Sequence, residues 1–150
     1  MLPVETIIPD ALSKYIEGLK AHDVKQIGST LADSIQFVTP ARTMGKDEIL
    51  AFLAALYSGF PDWRYKHESH KRLKNGSYAV KWKQGGTHTG HIEFPGYDGV
   101  PPTGKTVVIP EHSFFYKVIN NELVEIRPDP IPGGAPRGIF EQIGVEIPPL

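Results

Sequence analysis

The sequence predicts an α+β domain in which the helices come first and an antiparallel sheet follows. Residues 10–60 repeat apolar side chains with helical spacing, whereas residues 63–127 alternate apolar and polar side chains as strands do. From Pro128 onward proline and glycine are dense, which marks a tail rather than more sheet. We therefore expect a conical, curved antiparallel sheet wrapped around three N-terminal helices, with a Pro/Gly-rich C-terminal tail.

The three predicted helices have recognisable beginnings. Asp10 is placed to cap the first and Asp23 the second, because an aspartate oxygen accepts a free N–H of the first helical turn. Thr43 or Asp47 opens the third helix, which ends at Gly59. The stripes expected to face the core are Leu12, Tyr15, Ile16 and Leu19, then Val24, Ile27 and Leu31, then Ile49, Leu50, Phe52, Leu53, Leu56 and Tyr57.

The first predicted hairpin joins a strand over Trp63–Leu73 to a return strand that begins at Ser77. Asn75–Gly76 separates them and predicts a type I′ turn, since that turn needs positive φ at two successive residues. Gly85–Gly86 predicts a bulge or bend that interrupts the return strand, which then resumes over residues 87–94. A bend at this point curls the sheet into a cone and leaves a cavity between the sheet and the helices.

Three further strands complete the predicted sheet. A short one covers Ser34–Thr39, between the second and third helices. A long one covers Thr106–Ile119 and holds Pro110 at a bulge or an edge, because proline cannot donate a ladder hydrogen bond. Asn120–Asn121 turns this strand back into the last one, Leu123–Arg127.

Nothing divides the 150 residues into two domains, so we expect one domain over residues 1–150. The tail over 129–150 is too apolar for a free segment, and we expect it to fold over the mouth of the cone or across a partner subunit. A disordered tail is the alternative. The apolar tail residues are Ile131, Ile139, Phe140, Ile143, Val145 and Ile147.

Composition excludes several classes of protein. The chain has no cysteine, which removes disulfides and thiolate metal sites. Its formal charge of −1 gives no reason to expect nucleic acid as a partner. No apolar run approaches the ~20 residues that span a bilayer, and the N-terminus lacks the basic start and apolar stretch of a signal peptide. We expect no membrane association and a cytoplasmic location.

Two histidine pairs have the spacing of metal ligands, His67 with His70 and His88 with His91. Both pairs fall on predicted strands, where residues i and i+3 point to opposite faces. We therefore expect no metal and no cofactor, and expect His88 to anchor its bend by hydrogen bonding. The lysines and arginine of the first hairpin are expected to form a solvated outer face.

Several short motifs, in order along residues 11–128, point to a known family. They are Lys14–Leu19 through Asp23 to Leu31–Asp33, Gly45–Ile49 followed by Phe60–Asp62, Gly86–Gly90, Pro101–Lys105 and Leu123–Glu125. The set resembles the SnoaL-like polyketide cyclases, which have the nuclear-transport-factor-two-like fold. The resemblance implies a conical α+β barrel, commonly dimeric, with a deep apolar pocket. The same fold serves cyclases, isomerases, dehydratases, epoxide hydrolases and non-catalytic binders, so the reaction stays open.

The resemblance also implies an acidic base shortly after the last strand, a position that falls at Pro128 or Asp129. Relatives often carry a second acid after the first strand, where this chain has Thr39. On the long strand, His112 shares a face with Phe114, where burial would keep its imidazole neutral near pH 7. We predict Asp129 and His112 as catalytic residues. The alternative is a structural histidine and a turn aspartate.

Aromatic side chains are predicted to line the pocket and bind a small apolar ligand, with ordinary core packing as the alternative. They are Tyr15, Trp82, Phe114 and Tyr116, with Tyr78 as a further candidate for the wall. The leading functional hypothesis is a cofactor-independent cyclase or isomerase acting on a carbonyl or polycyclic compound by general acid–base chemistry. The alternatives are a non-catalytic ligand-binding protein and a dimerising interaction module. We expect a homodimer formed through the outer face of the sheet.

Overall fold

The computed structural model describes residues 8–93 and 99–145, and this part of the chain forms helices packed against one curved sheet. The sheet has six strands in the order β2-β1-β6-β5-β4-β3. The helices are α1 (Asp10–Ala21), α2 (Val24–Thr30), α3 (Lys46–Gly59) and α4 (Arg137–Ile143). The strands are β1 (Leu31–Val38), β2 (Thr43–Met44), β3 (Arg64–Arg72), β4 (Tyr78–Thr87), β5 (Thr106–Ile119) and β6 (Glu122–Pro128).

The architecture predicted from the sequence is confirmed, with one difference in how the strands pair. Strands β3 to β6 form an antiparallel meander, but β1 pairs with β6 in parallel, with Phe37 opposite Ile126. The sheet is therefore mixed. The alternation of apolar residues along a strand fixes which face is buried, but it does not name the neighbouring strand.

Of the three helix N-termini predicted from the sequence, only that of α2 has the predicted capping residue. The side chain of Asp23 caps α2 by accepting a hydrogen bond from the N–H of Gln26 at 3.0 Å. Asp10 is instead the first residue of α1, and the N–H of Ala11 is satisfied by the side chain of Asn121 at 3.0 Å. Thr43 and Asp47 do not open the third helix, which begins at Lys46 after Gly45, while Thr43 lies in β2.

The predicted type I′ turn lies at the other hairpin. At the first hairpin only Gly76 has positive φ, at 86°, and the N–H of Leu73 bonds the carbonyl of Ser77, so the loop has a third residue. At the β5–β6 connection Asn120 and Asn121 both have positive φ, 50° and 57°. Asparagine tolerates this conformation better than most residues, so two successive asparagines can make the turn without glycine.

Gly85–Gly86 does not interrupt β4, which runs through it to Thr87. A Cβ on Gly86 would lie 2.9 Å from the Trp63 ring, and a Cβ on Gly85 would lie 2.8 Å from the carbonyl oxygen of Val107. The glycines therefore permit close packing rather than a break. Of the strand predicted over residues 87–94, only Thr87 belongs to a strand, as the last residue of β4. Among the described residues after it, only Ile92 forms an isolated bridge, with Val100, and Phe94 lies outside the described residues.

Pro110 lies at a bulge of β5, as predicted, and this bulge decides which side chains face inward. Before it Val107 and Ile109 are buried, and after it the buried set shifts to His112 and the alternate residues that follow. Without the extra residue, His112 would point to the outer face. The bulged Glu111 lies between Lys81 and Lys83 on that outer face, with ion-pair distances of 3.6 and 3.5 Å.

The C-terminal segment covers an edge of the sheet. Strand β6 ends at Pro128, which leaves the first half of β5 with one edge unpaired, and α4 packs there. The side chain of Gln142 accepts from the N–H of Val108 at 3.0 Å and donates to its carbonyl at 2.7 Å, in place of a neighbouring strand. Residues 146–150, including Ile147, lie outside the described part.

Within the described residues, no helix is long and apolar enough to cross a bilayer.

Candidate functional site

A small cavity lies between the concave face of the sheet and helices α1 and α3, and we call it the inner cavity. Its volume is about 40 Å³ and its lining is mostly apolar. Five of its lining residues carry a polar side-chain group able to bond an oxygen or an N–H, namely Tyr15, Tyr65, Trp82, Gln84 and Tyr116. Carboxylates, imidazoles and cationic side chains do not occur among the lining residues that the structure describes.

The four aromatic residues predicted to bind a ligand meet around this cavity. Tyr15 comes from α1, Trp82 from β4, and Phe114 and Tyr116 from β5, and all four line it. The rings of Tyr15 and Tyr116 lie 5.6 Å apart between centroids. Tyr78, also considered for the wall, is half-buried and does not line the cavity.

Two of the cavity hydroxyls are held by other side chains. The Trp82 indole N–H donates to the Tyr116 hydroxyl at 2.9 Å, and the Tyr65 and Tyr57 hydroxyls share a hydrogen bond of 2.8 Å. Burial raises the pKa of Tyr15, Tyr65 and Tyr116 well above the ordinary value for tyrosine. The phenols therefore stay protonated across the physiological range and act as donors to an oxygen in the cavity.

Two polar groups in the cavity have no protein partner within the described part of the chain. The Tyr15 hydroxyl and the Gln84 amide make no hydrogen bond there, although the two residues are only 4% and 9% exposed. Both groups border the space of the cavity. The Tyr15 hydroxyl can donate a hydrogen bond to an oxygen of a bound molecule. The Gln84 amide can donate to an oxygen or accept from an N–H.

The sequence analysis missed Gln84 and Tyr65 as cavity residues. A signal for Gln84 existed, because it continues the inward face of Val80 and Trp82 at a spacing of two. A polar residue on such an apolar face is the kind of position that can bond a ligand. Tyr65 is one of several polar and aromatic residues along β3, and nothing in the sequence sets it apart from His67.

His112 and Asp129, the predicted catalytic pair, do not line the inner cavity. His112 is 3% exposed, and both nitrogens of its ring are engaged by main-chain groups. Its Nε2 accepts from the N–H of Ala135 at 3.2 Å, so its Nδ1 carries the proton and donates to the Asp129 carbonyl at 3.1 Å. Burial lowers the pKa of His112, which keeps the ring neutral. Its catalytic role stays a prediction.

Asp129 lines a different space, an open cleft of about 340 Å³ that we call the outer cleft. The cleft lies between the segment that follows β1, where Thr39 is found, and the segment that follows β6. Ala135 and Pro136 line both the outer cleft and the inner cavity, so they form the wall between the two spaces. The Thr39 hydroxyl bonds the main chain of Arg42.

The histidine pairs do not follow the strand geometry that was expected. The rings of His67 and His70 on β3 lie 6.3 Å apart between centroids, because the register of β3 shifts between His67 and Ser69. His88 and His91 lie beyond the end of β4 rather than on a strand. His88 is fully buried, and its Nδ1 bonds the hydroxyl of Thr103 at 2.9 Å, which anchors the loop before β5. Among the residues that the structure describes, no three histidine or acidic side chains are grouped as metal ligands would be.

Comparison with known proteins identifies the family. The sequence profile of the SnoaL-like polyketide cyclases matches residues 9–128. The chain belongs to the SnoaL-like polyketide cyclase family. The match ends where β6 ends, so the outer cleft and α4 lie largely in residues beyond it. No curated protein matches the chain significantly in sequence.

Solved structures place the SnoaL-like chain in the NTF2-like, or nuclear-transport-factor-two-like, fold. AclR, a candidate hydroxylase from Streptomyces galilaeus, is 18% identical with a TM-score of 0.68, over 89% of this chain and 92% of that one. An NTF2-like protein of unknown function from Exiguobacterium sp. 255-15 is 16% identical with a TM-score of 0.63, over 81% and 98%. TerC, co-crystallized with polyporic acid, is 13% identical with a TM-score of 0.62, over 91% and 97%. Identities this low show the fold alone.

Proposed function

We propose that this SnoaL-like protein binds a small, uncharged, mostly apolar molecule with a carbonyl or hydroxyl oxygen in the inner cavity. The observation that carries the proposal is a pair of polar groups that border the cavity and have no hydrogen-bond partner among the described residues, the Tyr15 hydroxyl and the Gln84 amide. A ligand oxygen would supply the missing partner, and the aromatic walls would cover its apolar part. The structure of TerC with polyporic acid, a protein of the same fold, is consistent with such a role.

The absence of charge in the lining favours an uncharged ligand. An ion in the cavity would lose its hydration, and no described lining residue carries an opposite charge to compensate. The tyrosines can donate to a carbonyl or enolate oxygen, but their raised pKa values make them poor bases at neutral pH. The cavity by itself therefore supports binding and polarising a carbonyl rather than removing a proton.

Two conservative substitutions test the binding proposal. Tyr15→Phe and Gln84→Leu should each weaken binding of an aryl ketone such as 9-fluorenone about 10-fold, because each removes one ~1.4 kcal/mol hydrogen bond to the ketone oxygen. Both variants should be nearly as stable as the wild type, since neither removes a hydrogen bond to another described residue. Titration by quenching of tryptophan fluorescence and thermal unfolding measure the two effects.

Two further tyrosine variants are the controls. Tyr116→Phe should lower the free energy of unfolding by about 1–3 kcal/mol, because the Trp82 indole N–H loses its acceptor. Tyr78 does not line the cavity, so Tyr78→Phe should change neither ligand binding nor the free energy of unfolding. The proposal fails if no compound in a panel of 1-tetralone, 9-fluorenone and 1,4-naphthoquinone binds the wild type, or if Tyr15→Phe and Gln84→Leu bind as the wild type does.

A second candidate function is cofactor-independent cyclisation or isomerisation with Asp129 as the base. The observation that favours it is that Asp129 lines the outer cleft, on the other side of the wall formed by Ala135 and Pro136. Catalysis of this kind needs the base within hydrogen-bond reach of the proton that it removes.

The prediction for this candidate is that Asp129→Asn abolishes turnover of a cyclisable ketone and leaves the melting temperature nearly unchanged. Asparagine keeps the shape and the turn-forming ability of aspartate, but it does not accept a proton at neutral pH. Deuterium exchange at the carbon next to the carbonyl, followed by mass spectrometry, measures the proton transfer. Equal exchange rates for Asp129→Asn and the wild type would exclude Asp129 as the base.

A further inference from the structure

The inner cavity is too small for the ligand that the proposed function requires. Its volume is about 40 Å³, enough for a few water molecules. An apolar cavity that binds benzene in another protein measures about 150 Å³. A molecule with two fused rings therefore enters only if part of the wall moves.

One part of the wall already has open space behind it. Ala135 and Pro136 separate the inner cavity from the outer cleft, whose volume is about 340 Å³. Both residues belong to the segment that connects β6 to α4, residues 129–136, which we call the strap. If these two residues moved, the two spaces would join into one site large enough for a polycyclic compound.

His112 holds the strap against β5 at both of its ends. The ring donates to the carbonyl of Asp129, the first residue of the strap, and accepts from the N–H of Ala135, next to its last residue. Between them the strap packs tightly on the ring, because a Cβ on Gly134 would lie 3.0 Å from its Cε1. The remaining bond from the strap to β5 is main-chain, from Asp129 to Ser113 at 2.9 Å.

The geometry points to a gated site. We infer that an uncharged aromatic carbonyl compound of two or more fused rings enters from the outer cleft by displacing Ala135 and Pro136, and that His112 latches the strap in its closed position. This inference rests on the proposed function and adds the size of the ligand, its route and a positioning role for His112. The closed strap lowers the apparent affinity, because only the open form accepts the ligand.

His112→Leu tests the latch. The variant keeps an apolar side chain against the strap but removes both hydrogen bonds, so the open form becomes more populated. Stopped-flow quenching of tryptophan fluorescence by 9-fluorenone should show association about 10-fold faster than in the wild type, with dissociation unchanged. The dissociation constant should therefore fall about 10-fold.

His88→Leu is the matched control. His88 is also a buried histidine that pins a loop, but that loop holds Thr103 and lies outside both the inner cavity and the outer cleft. The His88→Leu variant should associate with 9-fluorenone at the wild-type rate. If His112→Leu does not fold, Gly134→Ala serves as a second variant. The added Cβ of the alanine would push the strap away from the His112 ring, so this variant should also bind 9-fluorenone faster and more tightly than the wild type.

The outcomes separate the inference from the function on which it rests. Wild-type rates in His112→Leu and Gly134→Ala overturn the latch and leave ligand binding intact. Equal acceleration in His88→Leu also overturns it, because the effect would then be general loosening. Weaker binding in His112→Leu overturns it as well and makes the ring a ligand contact. Absence of binding by the wild type across the ketone panel overturns the proposed function and the gate together.

Discussion

Trp82→Ala is expected to lower the free energy of unfolding by about 3–5 kcal/mol, the usual range for removing a large buried aromatic side chain. Trp82 is 1% exposed and donates its indole N–H to Tyr116. Its ring also packs at 5.7 Å from that of Tyr65 and at 5.6 Å from that of His67. Removing it takes away the contact that joins β3, β4 and β5 at the cavity wall. Urea unfolding followed by circular dichroism measures the change.

Trp63→Ala is the matched control for this prediction. Trp63 is equally buried, at 2% exposed, and packs on Phe60 at 5.2 Å, but it does not line the inner cavity. Trp63→Ala should lower the free energy of unfolding by a similar amount and keep the affinity for 9-fluorenone. Trp82→Ala should change that affinity. The prediction is contradicted if Trp82→Ala costs less than 1 kcal/mol, or if both variants change affinity equally.

A loss of stability on mild acidification is the second large effect expected. Burial lowers the pKa of His88 and His112, and His67 shifts in the same direction. The folded state thus binds these protons less readily than the unfolded state, whose histidines titrate near 6.5. The stabilisation is complete above pH 6.5 and is lost as the pH falls from 6.5 toward the folded-state values. Each fully buried histidine contributes a slope of at most about 1.4 kcal/mol per pH unit.

Chemical denaturation between pH 8 and 5 measures this dependence. His112→Gln should make the slope shallower, by the contribution of one histidine. Asp62 does not contribute in this window, since the hydrogen bond from the Thr87 N–H lowers the pKa of its carboxyl below the ordinary value. A pH-independent free energy of unfolding over this range would contradict the assignment of neutral buried rings.

The sequence by itself determined the elements and their faces. Apolar spacing in α1 placed Leu12 and Tyr15 in the core, and alternation along β4 placed Val80 and Trp82 there. These periods follow from the geometry of one helix or one strand, so no tertiary information is needed to read them. Short motifs spread along the chain were enough to indicate the SnoaL-like family, which the match over residues 9–128 confirms.

At two places the sequence pattern was compatible with two local conformations, and the structure shows which one forms. Pro110 was predicted at a bulge or an edge, and the structure shows the bulge that turns His112 inward. Gly85–Gly86 was predicted to bend the chain, but the glycines instead admit Trp63 against the strand. A glycine is equally compatible with a bend and with a close approach, and only the neighbour that arrives decides between them.

Only the tertiary structure decided how distant segments meet. The parallel pairing of β1 with β6, the isolation of Gln84 in an apolar cavity and the two hydrogen bonds of His112 each join residues far apart in sequence. A hydrogen-bond partner supplied by the main chain, such as the Ala135 N–H, carries no side-chain signature that a sequence could show. The physical reason is that periodicity reports which face is buried, whereas the site depends on what lies opposite that face.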